Sequence, residues 1–183
     1  MISDEKLELW SHQISAIQAA QGAIRAGRPA GLWSMRTGTG KTLGFASLVT
    51  ELRWSTLVLC HRDELIRQTV DTFGDVWPSA SVGVVQAERN EIAGHNVVVA
   101  SVHSFHEERL KRVSRDRLEL VIADEAHHVP ATSWSAVLDH FDVRFTLGVT
   151  ATPETYDGKA LWRSGMTKRE ATGLIGKIKE RVA

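Results

Sequence analysis

The chain has 183 residues, enough for one domain with a core that folds unaided. Apolar residues make up 43% and charged residues 24%, as in an ordinary globular domain, and 22 basic residues against 22 acidic ones exclude a globally basic nucleic-acid binder. The longest apolar runs, such as TLVLC and NVVVAS, are too short to cross a membrane, and a single cysteine, Cys60, excludes an internal disulfide.

The N-terminal stretch MISDEKLELW mixes acids with Lys6 and has no apolar core, so it is not a secretory signal. With the lone thiol, this predicts a cytoplasmic protein. The stretch WSMRTGTGKTLGF (33–45) follows. Its centre has the form of a phosphate-binding loop, G-x-x-x-x-G-K-[ST], except that Met35 stands at the first glycine position. The chemistry needs backbone N–H groups converging on phosphate oxygens at a helix N-terminus. Gly38 and Gly40 supply the unusual dihedrals, Lys41 a point charge for the β- and γ-phosphates, and the Thr42 hydroxyl a ligand for Mg²⁺. A glycine-rich turn before an ordinary helix would look the same in isolation.

Beyond the loop, short β-branched runs alternate with stretches of helical spacing. TLVLC (56–60), SVGVV (81–85), NVVVAS (96–101), LELVIAD (118–124) and RFTLGVT (144–150) read as buried strands. Thr42 to Leu52, Asp63 to Phe73 and Trp134 to Phe141 read as helices. This order predicts an α/β domain with a mostly parallel sheet, helices on both faces and ligands at the carboxyl ends of the strands. HEERLKRVSRDR (106–117) mixes five Lys/Arg with three acids and suits an exposed helix. The strand 118–123 closes on Asp124, placed to hold Mg²⁺ opposite Thr42, and Glu125, placed to orient and deprotonate the water that attacks the γ-phosphate. Eight histidines invite a zinc reading, but no cysteine or carboxylate cluster completes four ligands around His103 and His106 or His127 and His128. Trp54, Trp77, Trp134 and Trp162 fit packing roles, and Cys60 lies inert in a strand.

From Lys159 onward seven basic residues face two acids, so this tail carries +5 and the preceding body −5. Ala171, Leu174, Ile175, Ile178 and Val182 make one apolar stripe, which predicts a C-terminal amphipathic helix with Thr167 and Glu170 as its capping box.

TGTGKT, LCHRDELIRQ, VVVASVHSF, DEAHH and GVTATPE occur in the order of the motifs of superfamily 2 helicases and translocases. The chain most resembles the DEAD/DEAH-like branch that includes type III restriction motor subunits, from about Leu9 to Gly158. Phosphate loops of that branch often lack the first glycine, which accounts for Met35. The resemblance implies a first RecA-like lobe over 1–158, with ATP and Mg²⁺ held by Thr37, Gly38, Thr39, Gly40, Lys41 and Thr42 together with Asp124. It implies that Gln13 reads adenine, although Trp10 stands where the family usually has an arginine; an aromatic there could stack near the base, which leaves adenine selectivity open. It assigns Arg62, Ser101 and Val102 to a nucleic-acid backbone, DNA rather than RNA by preference. It makes His127 the link from the nucleotide site to Thr150 and Thr152, which relay hydrolysis to strand movement. The family's motors work with a second RecA-like domain carrying an arginine finger; residues 159–183 are too few to form one, so that domain is expected in trans or in a longer parent chain. Two readings stay open, the ATPase lobe of a motor and a stand-alone nucleotide-binding module, while DEAHH followed by TATPE weighs against an unrelated P-loop enzyme.

Overall fold

The computed structural model describes residues 8–36, 38–125 and 131–151. Thr37, His127, Thr152, the boundary expected near 158 and the helix expected over 171–182 lie outside the described residues.

Seven strands form one sheet in the order β1-β7-β6-β2-β5-β3-β4. They are β1 (Ala30–Ser34), β2 (Thr56–Cys60), β3 (Val82–Gln86), β4 (Arg89–Asn90), β5 (Val97–Ser101), β6 (Leu120–Ala123) and β7 (Phe145–Thr150). All neighbours pair in parallel except the short β3–β4 hairpin. The helices are α1 (Ser11–Arg25), α2 (Lys41–Leu52), α3 (Asp63–Val76), α4 (Glu107–Leu110) and α5 (Ala131–His140).

The continuous apolar strands are explained by two cores. In β2, Val58 and Cys60 point into a cluster with Ile17 of α1, Phe45 and Val49 of α2 and Phe73 of α3. Leu57 and Leu59 point the other way, to Leu110 of α4, Val137 of α5 and Phe141 just beyond it. The period-2 alternation of side chains splits every central strand between these clusters, so both faces must be apolar. The expected architecture of helices on both faces is therefore present.

Local signals set the helix ends. Gly40, at φ +70°, turns the chain left-handed immediately before α2, and Arg53, at φ +57°, closes it with its N–H on the Val49 carbonyl at 2.9 Å. Asp63 and Glu64 occupy the first turn of α3, where negative charge complements the helix dipole. In α1 the buried positions are Gln13, Ile17 and Ala20, spaced i, i+4, i+7, so a glutamine occupies a core-facing position.

One expectation is corrected. The stretch 106–117 is helical only over Glu107–Leu110. Leu110 is buried, Arg112 and Val113 close tight turns on the carbonyls of Arg109 and Leu110, and the chain then enters β6 through Glu119, whose N–H bonds the Ser55 carbonyl. A longer helix would carry Leu118 and Leu120 away from the core that buries them.

Candidate nucleotide site and nucleic-acid edge

Five strands end at one edge of the sheet. β1 runs into the 35–40 loop, β6 into Asp124, β7 ends at Thr150, β2 leads to Arg62, and β5 leads to Val102. Parallel topology thus gathers, from distant parts of the chain, most of the residues singled out from sequence.

Met35 extends β1. Its N–H donates to the Thr150 carbonyl at 2.9 Å, and its side chain is 8% exposed within the first core cluster. A glycine would forfeit that packing, so the departure at this position lengthens and anchors the strand that carries the loop. Thr39 turns back on Arg36, its hydroxyl donating to the Arg36 carbonyl at 2.6 Å. Gly38, at φ +80°, and Gly40 occupy the left-handed region that side chains disfavour.

Gln13 docks α1 onto this loop. Its Nε2 donates to the carbonyls of Gly40, at 2.9 Å, and Thr39, at 3.2 Å, and its Oε1 accepts from the Trp10 N–H at 2.8 Å. A Cβ on Gly40 would lie 2.4 Å from Gln13 Nε2, so a side chain there would displace the amide that holds the loop, and φ +70° already favours glycine. His12, which the sequence does not single out, places Nε2 3.1 Å from the Thr39 carbonyl; the acceptor requires the proton to sit on Nε2.

Lys41 opens α2 and is 9% exposed; its ammonium donates to Glu125 Oε1 in an ion pair. Glu125 adopts φ +50°, an unfavourable region for a side-chain-bearing residue, and its N–H donates to Asp124 Oδ1 at 3.0 Å. Asp124 is 4% exposed, and its N–H continues the ladder to the Leu59 carbonyl at 3.0 Å. Burial, and secondarily the neighbouring Glu125 charge, push its carboxyl up to about 6, against a smaller downward pull from Lys41. The loop lysine and the two acids therefore converge.

These groups fit a triphosphate with a divalent cation. A buried carboxylate raised by desolvation gains from a cation beside it. Among the described residues no cluster of three or more metal-ligating side chains exists. A cation here would thus rely on few protein ligands, as magnesium does when phosphates and water complete its shell. Thr42, one residue beyond Lys41, is half-buried on the same first turn.

The neighbouring strand ends carry the remaining residues. Arg62 is exposed at the N-cap of α3, with Nε donating to His61 Nε2 at 3.1 Å. Ser101 pairs in register with Cys60 and is buried, as is Val102, whose side chain joins the second core. A ligand meeting Val102 would meet its backbone. Arg109, unmarked in the sequence, clamps this region by donating to the carbonyls of Ser104, at 2.9 Å, and Ala87, at 2.7 Å. Thr150 is fully buried and in register with Ser34, directly beside the strand that feeds the loop. Burial pushes the Cys60 thiol up to about 12, consistent with an inert residue. None of the described helices is long and apolar enough to cross a membrane.

A parallel sheet whose first strand feeds a G-K-T loop, with Asp-Glu at the end of another strand facing that lysine, defines the first RecA-like ATPase domain of a superfamily 2 helicase. Residues 6–155 match the family described as type III restriction enzyme, res subunit, and the chain belongs to that family. It is 33% identical over 170 residues to the putative ATP-dependent helicase IRC3 of Saccharomyces cerevisiae, covering 84% of this chain and 24% of that protein. It is 28% identical to the DNA 3'-5' translocase XPB2 of Sulfurisphaera tokodaii, covering 85% of this chain and 33% of that one. The chain thus spans a quarter to a third of the length of these relatives. The fold matches the Sulfolobus solfataricus SWI2/SNF2 ATPase core in complex with dsDNA, with TM-score 0.66 and 18% identity over 81% of this chain and 33% of that one. It also matches the UvsW helicase of bacteriophage T4, with TM-score 0.65 and 18% identity over 94% and 59% of the two chains.

Proposed function

We propose that this domain binds MgATP between the 35–42 loop and Asp124–Glu125, hydrolyses it slowly alone, and couples turnover to a nucleic-acid backbone lying across the ends of β2 and β5. The observation that carries the reading is the part-buried Lys41–Glu125 ion pair beside the buried Asp124 carboxyl. Two buried ionisable groups with a third half-buried beside them are costly to a fold unless they serve a ligand.

The loop's N–H groups and the start of α2 receive the phosphates, and Lys41 leaves Glu125 for their negative charge. Thr42 and Asp124 would hold Mg²⁺, which when bound would offset charge on the phosphate oxygens. Glu125, freed from Lys41, accepts a proton from the attacking water as the water oxygen bonds to the γ-phosphorus and the bond to the β–γ bridging oxygen breaks, giving ADP and phosphate. Thr150, hydrogen-bonded through its carbonyl to Met35, ties the loop to β7, and thence to Thr152. With His127 following the acids, this is the path proposed to couple the nucleotide to the polymer. A second RecA-like domain, in trans or in a longer parent chain, would add an arginine finger, worth ~10³–10⁵ in rate in related phosphoryl transfers. DNA is favoured as the polymer because XPB2 is named a DNA translocase and the SWI2/SNF2 core is described with dsDNA.

The test is ATP turnover by wild type, Lys41→Ala and Glu125→Gln, with and without duplex DNA or single-stranded RNA. Slow wild-type turnover, raised by DNA and lost in both variants, is expected. Wild-type turnover no greater than that of Lys41→Ala under every condition would refute the proposal.

A further inference from the structure

We propose that Arg109 is a positioning residue for the polymer: it meets no phosphate itself, and it locks the turn Val102–Ser104 in the shape that a nucleic-acid backbone contacts. The inference rests on the polymer path proposed above and adds the device that holds one part of it in place.

β3 and β4 are joined by Ala87 and Glu88, with Gln86 and Arg89 paired on either side. Ala87 sits at φ +48°. Two-residue hairpin turns with a positive φ at their first central position favour glycine there, because a Cβ disfavours that conformation. A chain keeps such a residue only where its surroundings over-determine it. Here the segment that follows β5 engages both polar groups of the Ala87 main chain. The N–H donates to Ser104 Oγ at 3.0 Å, and the carbonyl accepts from Arg109 Nη2 at 2.7 Å.

Arg109 closes the circuit. Its Nη1 donates to the Ser104 carbonyl at 2.9 Å, so one planar guanidinium spans Ser104 and Ala87. Its two terminal nitrogens are thus turned to the protein's own backbone. Ser104 ends the turn Val102–Ser104, and it is held at its hydroxyl by the hairpin and at its carbonyl by α4. The hairpin alone does not call for this clamp, since a glycine at position 87 would close it unaided. What the clamp fixes besides the hairpin is the turn beyond β5. The Val102 side chain is buried, so a polymer there meets main chain, whose dihedrals must be set in advance to meet phosphates cheaply. Without Arg109, Ala87 relaxes out of the left-handed region, its N–H leaves Ser104 Oγ, and the turn loses both braces.

Fluorescence anisotropy with a labelled DNA duplex and a labelled single-stranded RNA tests this over a range of salt. The proteins are wild type, Arg109→Ala, Arg109→Lys, Ala87→Gly and the Arg109→Ala/Ala87→Gly pair. Arg109→Ala should weaken binding about 10-fold with the salt slope unchanged, because no phosphate contact is lost. Arg109→Lys keeps the charge and the apolar stem but not the fork, so it should lose binding to a similar extent; it carries the same comparison if the alanine variant does not fold. Ala87→Gly alone should bind like wild type. Combined with Arg109→Ala it should bring affinity back to within about 3-fold, because glycine holds the left-handed turn without help. A salt slope reduced by about 1 in Arg109→Ala, or wild-type affinity in Arg109→Lys, would make Arg109 a phosphate contact and overturn the proposal. A loss that Ala87→Gly leaves unrepaired, or no loss in Arg109→Ala, would overturn it too. Failure of wild type to bind either polymer would instead bring down the polymer path, and this inference with it.

Discussion

Two charged regions of this domain treat charge in opposite ways. At the nucleotide edge, Lys41, Asp124 and Glu125 are 9%, 4% and 17% exposed. Along 106–117, Lys111 and Arg115 keep 60% and 58% exposure. Guanidinium groups of this second region also serve the backbone. Arg115 donates to the Asp139 carbonyl, Arg117 to those of Ile92 and His95, and Arg109 to those of Ser104 and Ala87. Its acids pair at the surface, as Glu108 does with Lys111. Taking ions out of water costs several kcal/mol each, and apolar residues of similar volume would serve stability as well or better. The largely buried trio is therefore intelligible as a site, and the exposed stretch as scaffolding.

The sharpest way to break this contrast is to remove the catalytic charge. Glu125→Gln should lower ATP turnover by about 10²–10³ while MgATP still binds, because the amide can neither accept the water's proton nor hold Lys41 as an ion pair. Lys41→Ala should abolish binding as well. Turnover assays paired with equilibrium binding separate the two variants. Retained turnover in Glu125→Gln would make the acid a structural partner of Lys41 only.

The core of that site was legible because its chemistry is local to strand ends. A G-K-T with Gly38 two residues before it, and a β-branched run closing on Asp-Glu, each carry their position in the sheet with them. Two facts needed the fold. Gln13 stands at a buried position of α1, but only the loop's carbonyls, from residues 39 and 40, show what its amide does. The basic stretch 106–117 resembled a helix because Arg, Lys, Leu and Glu all favour one. Packing of Leu110, Leu118 and Leu120 overrode that propensity and ended the helix after one turn. β1 escaped a periodicity reading because AGLWS is short and carries glycine and alanine, and its identity as a strand rests on pairing with β7.

A smaller effect tests whether the site's burial is paid in stability. Asp124 titrates from 3.8 in the unfolded chain to about 6 in the fold. A raised folded value means that the contribution to stability is fully present below pH 3.8 and is lost as pH rises through 6. Metal-free protein at pH 7.5 therefore carries a penalty that Asp124→Asn relieves, while the amide oxygen can still accept the Glu125 N–H. Denaturant unfolding in EDTA should show the variant more stable by roughly 1–3 kcal/mol at pH 7.5, with the difference shrinking between pH 6 and 4. A less stable variant at pH 7.5 would mean that the carboxylate is well compensated in the fold.

The smallest effects belong to the exposed stretch. Arg109→Ala strands two carbonyls and should cost about 1 kcal/mol. Lys111→Ala, which breaks a pair exposed on both sides, should stay within about 0.5 kcal/mol. Scaffolding also predicts what these changes leave alone: DNA affinity and its salt dependence should match wild type in Lys111→Ala and Arg112→Ala. A phosphate contact would reveal itself as weaker binding with a salt slope reduced by about 1. That outcome would move the polymer's path off the ends of β2 and β5 and across α4. The buried and exposed charges would then both belong to ligand sites, differing only in whether the ligand is enclosed or passes over the surface.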